Sequence, residues 1–172
     1  MAEPEAACPP VAVQVARYRP RVVATGWLTL LSILATSQTL HLFEHVAQMV
    51  QIHILGLAGA NAQGIVGQLN IEWVHFIWNG WLLVALVVLL PRFPRNWWLI
   101  GVALFAGWHL LEHAVIMATY LRTGVVGSPG LLSAAGLING GLPLARPDLH
   151  FLYNLVETIP LLIGWSVELK RV

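Results

Sequence analysis

Residues 34–50 read LATSQTLHLFEHVAQMV, an apolar run that contains the motif His41-Leu-Phe-Glu44-His45. Residues 102–118 read VALFAGWHLLEHAVIMA and repeat the motif as His109-Leu-Leu-Glu112-His113. A second motif also occurs twice, as HFIWN at residues 75–79 and as HFLYN at residues 150–154. Ionisable side chains in such apolar segments are costly, and they persist mainly where they bind a ligand, relay protons or line a polar cavity. The repeated His and Glu residues therefore indicate a metal site.

The composition around these motifs is that of an integral membrane protein. Of the 172 residues, 58% are hydrophobic and only 10% are charged, which leaves too little polar surface to cover a water-facing globule. The single cysteine, Cys8, excludes an internal disulfide and any cysteine-rich metal site. The few Lys and Arg residues form short, separate clusters, so the sequence predicts no nucleic-acid partner.

Four apolar stretches are long enough to cross a bilayer, at residues 22–54, 71–91, 97–121 and 148–167. We therefore predict an all-α integral membrane protein with four transmembrane helices in an up-down bundle. Residues 1–21 would form a mobile cytoplasmic tail, and residues 22–168 the four-helix transmembrane domain. Asn96 is an expected N-cap of the third helix, and Gly124 an expected C-terminal stop.

The motifs divide the helical domain into two matching halves, residues 22–91 and residues 97–168. In each half, H-x-x-E-H on the first helix is followed by H-F-x-x-N on the second. Each half would be a helical hairpin, and the two hairpins would be related by a pseudo-twofold axis along the membrane normal.

The basic residues predict the orientation in the membrane. Most of them flank the same ends of the four stretches, so the positive-inside rule places both termini in the cytoplasm of a bacterial-type plasma membrane. The connections at residues 56–70 and 124–147 would then face the outside. All six motif histidines would lie in the outer half of the bundle, beneath these two long connections.

Helical spacing predicts the ligands of the metal site. Residues three and four apart share a helix face, so the two histidines and the glutamate of each H-x-x-E-H motif point the same way. Four-helix bundles with inward Glu and His residues are known to hold two metal ions. We predict one ion for each half or a dinuclear centre bridged by the two glutamates, with these ligands: His41, Glu44, His45, His75, His109, Glu112, His113 and His150.

Other polar residues on the same faces are expected to support the metal. Glu157 and Glu72 are the candidate catalytic groups, with Glu157 handling protons; Glu72 could instead be a helix-start residue capped by Asn70. Asn79, Asn154 and Gln38 are expected either to orient ligating histidines or to form hydrogen bonds between helices.

The donor types restrict the metal and the chemistry. Mixed imidazole and carboxylate ligands suit transition metals, with two iron ions preferred and copper or zinc as alternatives. The predicted function is a dinuclear oxidoreductase acting on a lipophilic substrate from the bilayer. Since no nucleotide or flavin motif is present, electrons would come from a redox partner protein or a quinone. The alternatives are metal handling without catalysis, a zinc-dependent membrane hydrolase and a b-type haem protein. The sequence is compatible with a homo-oligomer in each case.

Overall fold

The computed structural model describes residues 11–67 and 72–171, with side chains described from residue 25 onward. Within these residues the chain has no strands and four α-helices, which confirms the all-α prediction. They are α1 (Val11–His53), α2 (Glu72–Leu89), α3 (Trp97–Thr123) and α4 (Arg146–Leu169). Short 3-10 turns at Gly59–Asn61 and Leu90–Arg92 lie in the connections.

The helix bounds follow the four apolar stretches closely, except at the start of α1. This helix begins at Val11 and so includes half of the segment that was predicted as a mobile tail. The first ten residues and Asn70, the predicted cap of Glu72, lie outside the described residues.

The structure confirms both predicted ends of α3. Asn96 is the N-cap, and its side-chain oxygen accepts a hydrogen bond from the backbone N–H of Leu99 over 3.3 Å. Gly124 ends the helix in the left-handed conformation, with a φ of 69°, which costs glycine little. The amide nitrogen of Asn96 also donates to the Gly164 carbonyl and to Glu168, both over 2.8 Å. The Asn96 side chain therefore caps α3 and connects it to α4 by hydrogen bonds.

The helices pair across the two sequence halves. α1 packs mainly on α4, α2 packs mainly on α3, and α3 also packs on α4, whereas α1 and α2 have few contacts. A layer of buried aliphatic residues fills the bundle at the end away from the long connections: Leu31, Leu34, Leu82, Leu86, Leu99 and Leu161. The motif histidines of α1 and α3 lie toward the C-terminal ends of their helices, and those of α2 and α4 toward the N-terminal ends. All four sets therefore share the other end of the bundle.

The outward faces of the helices are apolar. Within the described residues, two helical segments are long and apolar enough to cross a membrane, Glu72–Arg92 and Trp97–Thr123, with mean hydropathies of 2.0 and 1.6. α1 and α4 carry more polar residues, of which the larger ones near the motifs are buried, and their outer faces expose large apolar side chains such as Phe43 and Ile159.

We expect Asn96→Ala to destabilise the bundle. The substitution removes the cap of α3 and leaves the Gly164 carbonyl and a Glu168 oxygen without this donor, so the free energy of unfolding should fall by about 1–2 kcal/mol. Thermal unfolding of the purified protein in detergent measures the change. Thr29→Ala is the matched control, since the Thr29 hydroxyl is exposed and bonds to its own helix. Equal melting temperatures for both variants would contradict this role of Asn96.

Candidate metal centre

The six motif histidines meet in one cluster at the loop end of the bundle. His41 and His45 come from α1, His75 from α2, His109 and His113 from α3, and His150 from α4. The five on α1, α2 and α3 are at most 4% exposed. Neighbouring ring centroids lie 4.6 to 5.7 Å apart. Four helices thus place their imidazoles in a single layer.

The cluster contains two overlapping groups that could hold a metal ion. In each group, every residue offers one ligand atom within 4.8 Å of the others. The first group is His41, His45, His75 and His150; the second is His109, His113 and His150. These groups match the predicted sets of the two halves, except that His150 of the second half also belongs to the first group. Because α4 packs on α1 and α2 packs on α3, His75 and His150 lie between the hairpins.

Several ring nitrogens approach each other as ligands of one ion would. The Nε2 atoms of His41 and His45 are 3.2 Å apart, as are those of His109 and His113. The Nε2 atom of His109 also lies 3.3 Å from the Nδ1 atom of His150. With zinc–imidazole bonds of about 2.0–2.1 Å, ligands at tetrahedral angles are roughly 3.3–3.4 Å apart. The imidazoles thus have the spacing of a coordination polyhedron.

Hydrogen bonds on the far side of two rings fix which nitrogen faces the cluster. The Nδ1 atom of His109 donates to Oε1 of Glu157 over 3.0 Å, and both side chains are fully buried. The Nδ1 atom of His45 donates to the side-chain oxygen of Gln48 over 3.3 Å. A ring that donates from Nδ1 keeps the lone pair of Nε2 for a metal, which is how histidine ligands are commonly oriented.

The three predicted supporting residues are all buried beside the cluster. Asn79 and Asn154 donate to the backbone carbonyls of His75 and His150, one turn earlier on their own helices. Gln38 crosses between α1 and α4, donating to Asn154 over 3.1 Å and to Glu157 over 3.4 Å. Gln38 therefore connects α1 to α4 and contacts Glu157, which binds the His109 ring, whereas Asn79 bonds within its own helix.

Glu44 and Glu112, predicted as metal bridges, bind the loops in this structure. Oε1 of Glu44 accepts from the backbone N–H of Val66 over 2.7 Å. Oε1 of Glu112 accepts from Leu131 over 2.9 Å and from Leu132 over 3.3 Å. Neither carboxylate belongs to either imidazole group. Each loop brings backbone N–H groups to one glutamate, so the two matching carboxylates hold the two long connections over the cluster.

Glu72, a predicted catalytic residue, is also engaged by other groups. The guanidinium of Arg146 binds both of its oxygens, at 2.7 and 2.5 Å, and the Gly127 N–H donates to it over 3.0 Å. A carboxylate with three donors is better suited to hold α2, α4 and the second loop together than to accept a substrate proton. Glu157, the other predicted catalytic group, contacts the His109 ring directly.

A cavity of about 740 Å³ lies between the loops and the cluster. Its wall is mostly made of small and apolar residues from the two loops and the start of α4. Its polar lining comes from seven side chains: Gln48, Gln63, Glu72, His75, Ser133, Arg146 and His150. Two histidines of the cluster therefore face space that is reached from the loop side.

Buried polar atoms at the cluster also lack partners. Among the described residues, the Nδ1 atom of His113, the Nε2 atom of His150 and the Oε2 atom of Glu112 are buried without a hydrogen bond. Each such atom costs about 1–3 kcal/mol when nothing compensates it. A bound cation would compensate the Nε2 atom of His150, because a neutral imidazole nitrogen is a metal ligand.

Sequence reasoning missed several neighbours of the cluster. Trp78 stacks on His41 with centroids 4.9 Å apart, and Tyr153 packs edge-on against His109 at 5.0 Å. Gln48 could have been found, because it lies three residues after His45 on the same helix face. No local sequence pattern indicated that Arg146 binds Glu72, since 74 residues separate the two.

Gly130→Ala tests the link between Glu112 and the second loop. A Cβ at residue 130 would lie 2.6 Å from Cδ of Glu112, so the carboxylate must move away from the Leu131 and Leu132 amides. We expect hydrogen exchange at both amides to become faster, which corresponds to a fall of about 1–3 kcal/mol in the free energy of opening that protects them. Gly107→Ala is the control, because nothing lies within 4 Å of its Cβ position. Unchanged exchange at residues 131 and 132 in the Gly130 variant would show that Glu112 does not hold this loop.

No family model, curated protein or solved structure matches this chain. The chemistry of the centre therefore follows from its own six imidazoles, their spacing and the groups around them. The buried histidine groups could hold a metal ion, which is compatible with a metal-binding protein.

Proposed function

We propose that this chain is an integral membrane oxidoreductase with a dinuclear transition-metal centre formed by six histidines. The observation that carries the proposal is the convergence of six imidazoles from four helices, with three pairs of ring nitrogens 3.2 to 3.3 Å apart. A purely structural cluster would gain more from apolar packing than from a buried ring nitrogen without a partner, such as Nε2 of His150. Metal binding gives that nitrogen a partner.

Copper is the metal that we propose for this site. Iron was preferred from the sequence because Glu44 and Glu112 were expected to be ligands. In the structure, Oε1 of each carboxylate instead accepts a hydrogen bond from a loop N–H group. The remaining donors are imidazoles, which suit copper and zinc, and copper is bound more strongly than any other divalent metal of the first row. Copper also supplies redox chemistry, whereas zinc would support a hydrolase.

The distribution of polar side chains supports a bilayer location for all four helices. α1 and α4 bury polar residues such as Gln38 and Asn154 and expose large apolar ones. A continuous apolar belt on a bundle with a polar interior is what a lipid environment requires. We propose that the termini are cytoplasmic and that the histidine layer lies in the outer half of the bilayer.

The cavity supports a role in catalysis rather than simple metal storage. A volume of about 740 Å³ is far larger than an ion needs and falls in the range of sites for small organic molecules. Its mainly apolar wall and few polar groups suit a lipophilic molecule with a polar head, which would meet the metal centre beside His75 and His150. Two copper ions bound by these histidines would supply one-electron redox chemistry, and a quinone or a redox partner protein would supply the electrons.

A haem fits the cluster poorly. Neighbouring histidine rings are only 4.6 to 5.7 Å apart and contact one another on several sides. A macrocycle between any two of them would have to displace the other rings. The optical spectrum of the purified protein should accordingly lack the intense bands of a b-type haem.

Metal handling without catalysis is the second candidate, and the same cavity favours it. His75 and His150 line space on the loop side, so an ion could reach the cluster from outside without crossing the apolar end of the bundle. In this case the metal would exchange readily with a chelator. In the enzyme it would stay bound through many turnovers.

Metal analysis of the purified protein tests the proposal. We expect at least one tightly bound copper ion for each chain, and a large loss of copper in His45→Ala and His113→Ala, because each variant removes one ligand from a different group. His53→Ala is the matched control, since His53 is exposed and pairs with Asp148 on the surface.

Less than one tightly held transition metal for each parent chain would overturn the proposal. Copper that a chelator removes within minutes from the parent protein would favour metal handling. Bound zinc with no copper or iron would favour a hydrolase. A circular dichroism spectrum of each variant identifies any loss of metal that follows from unfolding.

A further inference from the structure

We propose that His150 bridges two metal ions through its two ring nitrogens. Its Nδ1 atom would bind the ion held by His109 and His113, and its Nε2 atom would bind the ion held by His41, His45 and His75. This inference rests on the proposed function and adds the number of ions and the group that connects them. It replaces the carboxylate bridge that the sequence predicted.

The position of the His150 ring supports the bridge. Its centroid lies 4.6 Å from that of His45 and 4.8 Å from that of His75 on one side. On the other side it lies 4.8 Å from His109 and 4.7 Å from His113. His150 is also the residue that belongs to both imidazole groups. The ring is therefore central to the cluster rather than part of one half.

The two nitrogens of His150 have different surroundings. Nδ1 lies 3.3 Å from Nε2 of His109, which is itself 3.2 Å from Nε2 of His113. Nε2 is buried and has no hydrogen-bond partner among the described residues. The Nδ1 atom is thus placed for the second group, while Nε2 remains available for the first.

The bridge makes the two ions unequal. The ion of the first group would have four imidazole nitrogens, which is a closed tetrahedral shell. The ion of the second group would have three, which leaves an open position of the kind that catalytic sites keep. The second ion also has the ligand that Glu157 orients, His109. We therefore assign the open coordination position to the ion bound by His109, His113 and His150, of which His150 lines the cavity.

Formation of the bridge releases one proton. A neutral imidazole has one N–H, so binding of the second ion replaces that N–H bond by a nitrogen–metal bond. The proton passes to water in the cavity, which His150 lines. Across an imidazole ring with bonds of about 2.0–2.1 Å on each side, the ions would be roughly 6 Å apart.

Electron paramagnetic resonance of the copper-loaded full chain tests the bridge. An imidazolate couples two Cu(II) spins strongly, so the parent protein should bind two Cu(II) ions and yet lose most of its spin signal near liquid-helium temperature. In His150→Ala the number of spins should equal the number of bound copper ions. His53→Ala should behave as the parent does.

Loading the parent protein with one copper and one zinc ion tests the same point without any substitution, so this test remains valid even if the His150 variant does not fold. Because zinc has no spin, the spin signal of this sample should correspond to one full Cu(II) ion. Two bound copper ions with two full spins would overturn the bridge and leave the proposed function intact. One copper ion for each chain would also overturn it. No bound metal would overturn the proposed function and the bridge together.

Discussion

The structure depends on one constraint, which is that buried imidazole nitrogens need partners. Six rings from four helices meet where water has little access, and one nitrogen each of His113 and His150 has no partner among the described residues. Carboxylate and amide oxygens occupy the far nitrogens of His109 and His45, so their Nε2 atoms face the interior. There the nitrogens face one another at 3.2 to 3.3 Å, a distance that suits shared binding of a cation. The polar layer at one end of the bundle follows from this requirement.

The rest of the fold holds this layer in place. An aliphatic layer fills the opposite end of the bundle, and Asn96 joins the start of α3 to α4 beneath it. Above the histidines, Glu44 and Glu112 each fix one long loop through backbone amides, and glycines at positions 64 and 130 leave room for their carboxylates. The same H-x-x-E-H motif thus supplies imidazoles to the interior and a carboxylate to the loops. One helix turn therefore carries both the imidazoles of the cluster and the carboxylate that binds the loop.

Sequence spacing predicted the helices and the histidine pairs that share a helix face, because both depend on local periodicity. His41 and His45, one turn apart in an apolar run, had to share a face, and Asn96 and Gly124 marked the ends of α3. The sharing of His150 between the two groups could not be predicted, since it depends on α4 packing against α1 as well as on α3. The role of Glu44 was equally hidden, because the Val66 amide that binds it lies 22 residues away in a loop without regular pattern. Short-range spacing identified the donors, and tertiary packing decided what each of them binds.

The central claim is that metal ions in this protein are bound by imidazole alone. X-ray absorption at the metal edge of the purified protein measures this most directly. The account predicts a copper edge, a first shell of three to four nitrogens at about 2.0–2.1 Å, as for imidazole bound to zinc, and the outer-shell scattering of histidine rings. A shell with carboxylate oxygens from Glu44 or Glu112, or a preparation without any transition metal, would contradict it.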